Sequence, residues 1–361
     1  MQFLDTIRQG SHHIWRSLPA GAIVRTLAFA ATLVPCTSAV AAESRGLFCA
    51  TPTACELQFY VENDILGGTD RYYTSGLKLG GAVGAEGLVE RFFHAPAERV
   101  LRHITDDPRG VQFGLFIGQQ LYTPREIDIA PPQPSDRPWA AWLYVGGVAQ
   151  SVSANRLQTV EFDLGVIGPA ALGKEVQTAI HEATDSTHPK GWHNQLPNEP
   201  AFLLAYMEKW RFGPRSGVQL VPHFGATLGT VLTLARIGAT VRAGRNMSGF
   251  GPDTIEPGGA MLQGVRLRDP EYKEGIGEWY LFAGADARAV AHNIFLDGNV
   301  FRSSPSVDRQ EFVYDLKMGF SVRVASARVS FTHTWRSEEF TTPVRGGGNQ
   351  RFQSLNVSWQ F

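Results

Sequence analysis

The sequence predicts an all-β chain, an antiparallel transmembrane β-barrel of about 12 strands with short helices in its loop insertions. Three observations carry that prediction. The chain opens with an export leader. It continues as segments that alternate apolar and polar residues at hairpin spacing. Its last segment, of the same kind, finishes on an aromatic residue, Phe361.

The leader covers residues 1–41. Arg8, Arg16 and Arg25 supply a positive region, and the apolar run that follows at 27–40 is too short to span a bilayer as a helix. Ala39, Val40 and Ala41 form the small-x-small pattern read by signal peptidase, so cleavage is expected before Ala42. Cys36 follows Pro35, where lipidation would want a small residue, so a lipoprotein signal is not expected. Residues 42–361 then form one barrel domain. In its final strand Leu355, Val357, Trp359 and Phe361 alternate with Ser354, Asn356, Ser358 and Gln360. A terminal aromatic of this kind is the expected mark for the barrel-assembly machinery.

After the leader no run of 18 apolar residues occurs, which excludes spanning helices. The formal net charge of the chain is −1, and the leader contributes three arginines against Asp5 alone. The remainder is therefore near balance, without the concentrated basic excess that a nucleic-acid partner requires. Cys49 and Cys55 are expected to close a small disulfide loop ahead of the first strand in an oxidising compartment.

Twelve strands are expected, near 56–63, 72–83, 111–122, 138–151, 157–168, 201–212, 217–230, 232–244, 278–292, 310–325, 327–337 and 351–361. The alternation is clearest late in the chain. Phe312, Tyr314, Leu316, Met318, Phe320, Val322 and Val324 share one face, while Asp315, Lys317, Ser321 and Arg323 share the other. Trp279, Leu281 and the alanines at 283, 285, 287 and 289 oppose Asp286, Arg288 and His292. A soluble sandwich alternates as well. The number of charges at mid-strand decides for a barrel with a polar interior, where they can pair while the apolar face meets lipid. Two stretches break the pattern. Residues 85–108 read as short amphipathic helices, and residues 169–200 contain a helical run around 173–181 followed by polar loop.

The run at 62–76 places Glu62, Asn63 and Asp64 at the end of one strand, then Gly67, Gly68, Thr74 and Gly76 at the start of the next. A strand that only crossed a bilayer has no use for Asn-Asp at its end. Such residues are also ordinary turn formers. Gathered at a rim, an Asn, an Asp and a hydroxyl can orient a base or hold a hard cation through oxygen. Alternation puts Thr74 on the side of Gly76 and Lys78. His181 lies four residues after Gln177, so both project from one helical face, aimed across the wall or into the barrel mouth. It is a candidate general base for ester hydrolysis, or a histidine in a solvated loop. Gly-x-Ser-x-Gly and His-Glu-x-x-His are both absent, so a hydrolase built here is expected to activate water.

The run at 62–76 resembles the lipid A 3'-O-deacylase family of the Gram-negative outer membrane, and the resemblance continues in order along the chain. It takes in Gly118-Gln119-Gln120-Leu121-Tyr122-Thr123-Pro124, then residues 136–144 with Trp139 and Trp142, then residues 164–169. It continues from Val176 and Gln177 through His181 to Gly191-Trp192-His193-Asn194, and ends at Phe295-Leu296-Asp297-Gly298-Asn299. The family implies a twelve-stranded barrel with its site at the outer-leaflet end and a calcium-dependent reaction that removes the 3'-linked acyloxyacyl chain of lipid A. Its Asn-Asp pair falls on Asn63 and Asp64, its active-site hydroxyl on Thr74 and its catalytic histidine on His181. The resemblance implies that His181 deprotonates water while Ca2+ and Thr74 stabilise the oxyanion; Asp64 orients the histidine or helps organise the metal site, whose ligands stay unassigned. Gln177, Arg125, Arg137 and Lys190 are expected to contact the lipopolysaccharide substrate, the last three at phosphates or core sugars. The chain departs from the family in its long leader and in the 85–108 insertion, which would alter head-group docking. Two other readings compete: a phospholipase-type acyl hydrolase of outer-membrane lipid, and a non-catalytic barrel serving as channel or adhesin.

Overall fold

A computed structural model describes residues 55–64, 71–83, 111–255, 277–344 and 347–360. The expected leader, Cys49 with its disulfide, the helices at 85–108 and the Gly67-Gly68 pair lie outside the described residues. The elements in order are β1 (Cys55–Asn63), β2 (Tyr72–Val83), β3 (Val111–Thr123), β4 (Ala140–Val152), β5 (Arg156–Ile167), α1 (Gly173–Thr184), β6 (Glu199–Trp210), β7 (Gly217–Gly229) and β8 (Leu232–Arg245). There follow β9 (Glu278–Asn293), α2 (Ile294–Asp297), β10 (Asp308–Arg309), β11 (Phe312–Val324), β12 (Ala327–Arg336), β13 (Phe340–Thr341) and β14 (Gln350–Gln360).

Twelve of these strands close an antiparallel barrel in which β14 pairs with β1, as expected; β10 and β13 form a separate two-stranded ribbon. Closure removes the free edges that a bilayer would not tolerate. Strand limits fall within about two residues of those expected; β6, for example, starts at Glu199 rather than 201.

The two faces of each strand see different surroundings. On β11, Phe312, Tyr314, Leu316, Met318 and Phe320 are exposed on the outside, while Asp315, Lys317 and Ser321 are buried inside. Ile237, Leu281 and Leu228 extend the same apolar exterior around the wall. Inside, charges pair. Lys78 meets Glu161 at 2.7 Å, Arg236 meets Asp286 at 2.8 Å, and Arg336 meets Asp315 at 2.9 Å. The segment at 246–255, after β8, folds back into this polar interior. Met247, Phe250 and Ile255 are buried, Asp253 is 2.5 Å from Lys209, and the Ser248 hydroxyl donates to Glu278 at 2.8 Å. Gln120 of β3 donates to the Ile255 carbonyl at 3.3 Å. Side chains from β3, β6 and β9 thus converge on one segment that fills the lumen.

Connections leave the barrel at two ends. One end carries the segments between β1 and β2, β3 and β4, β5 and β6, β7 and β8, β9 and β11, and β12 and β14. At this end α2 turns inward. Asn293 caps it by accepting the Phe295 N–H at 3.1 Å, and Phe295 stacks on Tyr122 with centroids 3.9 Å apart. Burial alone would raise the Asp297 carboxyl. Hydrogen bonds from His292 and the Asn293 N–H, with the Arg309 guanidinium, outweigh that and hold it below the ordinary carboxylate range. The opposite end carries the connection between β2 and β3, so the 85–108 insertion joins strands at the end away from Asn63 and Thr74.

Two outcomes follow. Lys78→Met strands Glu161 in the interior and should cost about 3–5 kcal/mol, read as an earlier urea midpoint for loss of the folded barrel in detergent. In planar bilayers the filled lumen should give no steady conductance, and porin-sized current steps would contradict it.

Candidate active site on the outer wall

The backbone around Asn63 and Thr74 is irregular where the site residues sit. Asp64 is buried; its Oδ2 accepts the Arg71 N–H at 2.7 Å, and its own N–H reaches the Thr74 carbonyl at 3.3 Å. Tyr72 opens β2 at φ 71°, a left-handed value rare for a bulky residue. Between β2 and β3 the register shifts at Tyr73/Ser75: Tyr73 faces Tyr122 and Ser75 faces Leu121, so Thr74 is the extra residue of a bulge. Bulges re-aim side chains beside functional sites. Tyr73 points inward, where its hydroxyl donates to Glu62 at 2.6 Å. The Thr74 hydroxyl lies 2.7 Å from that of Thr123, which shares the outward face of β3 with exposed Ile117. Simple alternation put Thr74 with Gly76 and Lys78; the bulge turns it to the outer wall instead.

Asn63 also faces outward, opposite Ser75 on β2 and Gln353 on β14. One outward row further from this rim come Val61, Leu77 and Leu355. Asn63 and Ser75 therefore stand where the apolar band gives way to polar residues.

The connection from β5 to β6 lays α1 on the outside of the same wall. Gly168 at φ 99° and Leu172 at φ 59° turn the chain back, with Pro169 opening a short 3-10 turn between them. Gly173 permits the close approach, since a Cβ there would lie 2.5 Å from that of Ala141 on β4. Gly173, Gln177 and His181 form the buried stripe of α1. The helix rests on a cluster of Leu121, Ile127, Trp139, Ala141, Ala171 and Trp192. Gln119 of β3 adds a bond from its side chain to the Ala171 carbonyl at 2.6 Å.

This packing fixes both polar residues of the stripe. Trp192 donates its indole N–H to Gln177 Oε1 at 2.7 Å. His181 is 1 % exposed, and its Nδ1 lies 2.5 Å from the Thr187 carbonyl. A carbonyl only accepts, so Nδ1 carries the hydrogen in this bond, the tautomer whose acceptor is Nε2. The histidine is therefore held against the wall, neither in a solvated loop nor in the barrel mouth. Asn63, Thr74, Gln177 and His181 all belong to the outward side, on β1, β2 and the helix over β3 and β4.

The expected head-group cations separate. Lys190 is exposed in the loop after α1, its backbone N–H bonded to the Ile127 carbonyl at 2.8 Å. Arg125 is half-buried and donates to the Tyr72 hydroxyl at 2.9 Å, a bond that holds its guanidinium more firmly protonated. Arg137 is fully buried, 4.7 Å over the Tyr122 ring and 3.4 Å from Glu339, which also pairs with Arg336 of the interior. Its expected place at the head group is corrected: Arg137 closes the top of the polar interior. Thr123 and Trp192 hold Thr74 and Gln177, and nothing local in the sequence assigns them that role. Gln353 and His333, on the same outward row as Asn63, carried no local sequence signal.

Among the described residues no group of three or more His, Cys, Asp or Glu is placed to hold a metal ion. A cation at this site would lean on Asp64, with Asn63 and hydroxyl or carbonyl oxygens. That donor set is all oxygen and suits a hard ion that keeps water or substrate oxygens as further ligands.

Fold and site together define an outer-membrane barrel with a polar, helix-covered site on its lipid-facing wall. The model of the family described as outer membrane protein LpxR matches residues 26–361, and the chain belongs to that family, as a protein of the Gram-negative outer membrane. Among solved structures it is similar to LpxR from Salmonella typhimurium, with a TM-score of 0.63 at 24 % identity over 85 % of this chain and 100 % of that one. It is also similar to the β domain of the Bordetella autotransporter BrkA, at a TM-score of 0.45 and 12 % identity over 86 % of this chain and 100 % of that one. A search of curated proteins finds no match.

Gly173→Val should lift α1 from the wall by crowding Ala141 and Trp192. The barrel should still migrate as folded on an unheated gel, with hydrolytic activity reduced more than about tenfold, in line with the cost of displacing a positioned group.

Proposed function

We propose that this protein is a calcium-dependent ester hydrolase that removes the 3'-linked acyloxyacyl chain from lipid A of lipopolysaccharide. The observation that carries the reading is depth. Asn63 and Ser75 sit on the outward wall one register row nearer the rim than Val61 and Leu77, which supports a site at the level where an outer-leaflet lipid changes from hydrocarbon to head group. The ester bonds of such a lipid lie at that level. A site inside the filled lumen would not meet them.

In the proposed reaction His181 Nε2 takes a proton from water, and the resulting hydroxide oxygen attacks the ester carbonyl carbon. The Thr74 hydroxyl donates to the oxyanion of the tetrahedral intermediate. The carbon–oxygen bond to the sugar then breaks, and the departing alkoxide recovers the proton from His181. The products are the free acyloxyacyl acid and a 3'-hydroxyl. The Thr187 carbonyl serves by holding the histidine in the tautomer that can accept the first proton. Gln177, anchored by Trp192, sits one helical turn away to position the substrate. Calcium, when bound, would polarise the ester carbonyl; Asp64 and Asn63 are the residues to hold it.

Mass spectrometry of lipid A incubated with the refolded barrel, in calcium or in EDTA, tests this reading. Loss of one acyloxyacyl unit is expected only with calcium and intact His181, with His181→Ala lowering the rate at least about a hundredfold. Unchanged lipid A alongside release of fatty acid and lysophospholipid from phospholipid vesicles would replace this reading with a phospholipase.

A further inference from the structure

The outward row that contains Asn63 continues past it. Asn63 faces Gln353 on β14, and Gln353 faces His333 on β12. The row beneath is apolar at the same strands: Val61, Leu355 and Phe331. One step nearer the rim, Trp335 faces Arg351. Trp335 packs edge-on against His333 with centroids 4.1 Å apart, an aromatic at the depth where barrels carry their interfacial girdle. Gln353, His333 and Arg351 lie outside the helix-covered site, and a wall that only met acyl chains would have no use for them.

The chemistry of the row is directional. Gln353 is 5 % exposed; its side-chain nitrogen bonds His333 Nδ1 at 2.7 Å, and its Oε1 is buried with no hydrogen-bond partner among the described residues. A buried amide oxygen left without a donor is costly, unless a ligand supplies one. With Nδ1 accepting from Gln353, neutral His333 carries its hydrogen on Nε2 as a donor. Arg351 stands exposed directly above. Acceptor and donor thus sit side by side on one register row, with a cation one step nearer the rim.

We infer that Gln353, His333 and Arg351 form a second head-group subsite for a phosphorylated glycolipid, on the far side of Asn63 from α1. Gln353 Oε1 and His333 Nε2 take the amide or hydroxyl linkage of a neighbouring acyl chain, and Arg351 takes the sugar phosphate above it. Two strand spacings separate Asn63 from His333, about 10 Å, a span suited to one lipid whose sugars reach both places. The inference rests on the proposed lipid A reading for the identity of the lipid, and its test is read by binding as well as turnover.

The test titrates bisphosphorylated lipid A, dephosphorylated lipid A and phosphatidylglycerol, each in detergent, against the refolded full-length barrel. Intrinsic tryptophan fluorescence reports binding, and mass spectrometry reports deacylation in parallel. Arg351→Ala should raise the Kd for bisphosphorylated lipid A about tenfold and leave that for the dephosphorylated form unchanged, the loss expected for one charge-assisted phosphate contact. Gln353→Leu should weaken both forms, and both variants should migrate as folded barrels. KM should rise in each while kcat is held. Equal affinity of wild type and both variants for every lipid would overturn the subsite, as would phosphatidylglycerol competing as well as lipid A. Phosphate-dependent binding lost in Arg351→Ala without any deacylation by wild type would uphold the subsite and sink the hydrolase reading.

Discussion

The ion pairs that fill the lumen decide where this barrel can do chemistry. Lys78 with Glu161, Asp253 with Lys209, Asp286 with Arg236 and Asp315 with Arg336 satisfy one another away from water. Removing one partner from such a buried pair is expensive, so the network holds its shape. The segment at 246–255 locks into it through Asp253 and Ser248. Strands that spend their inner face on this packing have only the outer face left for a substrate. A lipid already lies against that face.

Polar residues on the outer face are tolerated only near the interface, where a bilayer stops being hydrocarbon. That limit makes the row of Asn63, Ser75, Gln353 and His333 informative. It lies one step above a row of Val61, Leu77, Leu355 and Phe331, and it marks the upper edge of the apolar band. The β5–β6 connection meets the wall at this end because Gly173 lets α1 touch Ala141 and because Trp139 and Trp192 pack beneath it, 5.0 Å apart. His181 and Gln177 are thereby placed by a rigid contact with the barrel rather than by loop conformation. The outer wall supplies the depth, and the helix brings a buried histidine and glutamine to it.

Much of this was legible in the sequence. Period-two alternation with charges at mid-strand gave the barrel and its twelve strands, because the two faces of each strand meet opposite solvents. Asn63, Asp64 and His181 stood out because polar residues at a strand end and a polar helix stripe need a reason. Alternation alone turns Thr74 inward; one extra residue at the bulge reverses the count, and no local residue announces it. Arg137 reads as a surface cation beside Asp136, yet tertiary packing over Tyr122 encloses it. The insertion at 85–108 could be seen, but which end it joins depends on strand direction. Gln353 and His333 are ordinary members of their strands. Only the register from β1 to β14 and from β14 to β12 brings them onto the row of Asn63.

Spin-label accessibility shows whether the site lies on the lipid-facing wall at the top of the apolar band. Single nitroxide labels would be placed at Ser75, Leu77 and Thr332 in bilayers, on a background with the native cysteines replaced. Collisions with oxygen, which concentrates in lipid, and with a water-soluble nickel chelate would then be compared. A lipid-exposed label is expected at Leu77, a label reached by both reagents at Ser75, and a label sheltered from both at Thr332. A Ser75 label closed to oxygen, beside a Thr332 label open to the nickel chelate, would contradict a site on that wall and move it into the lumen.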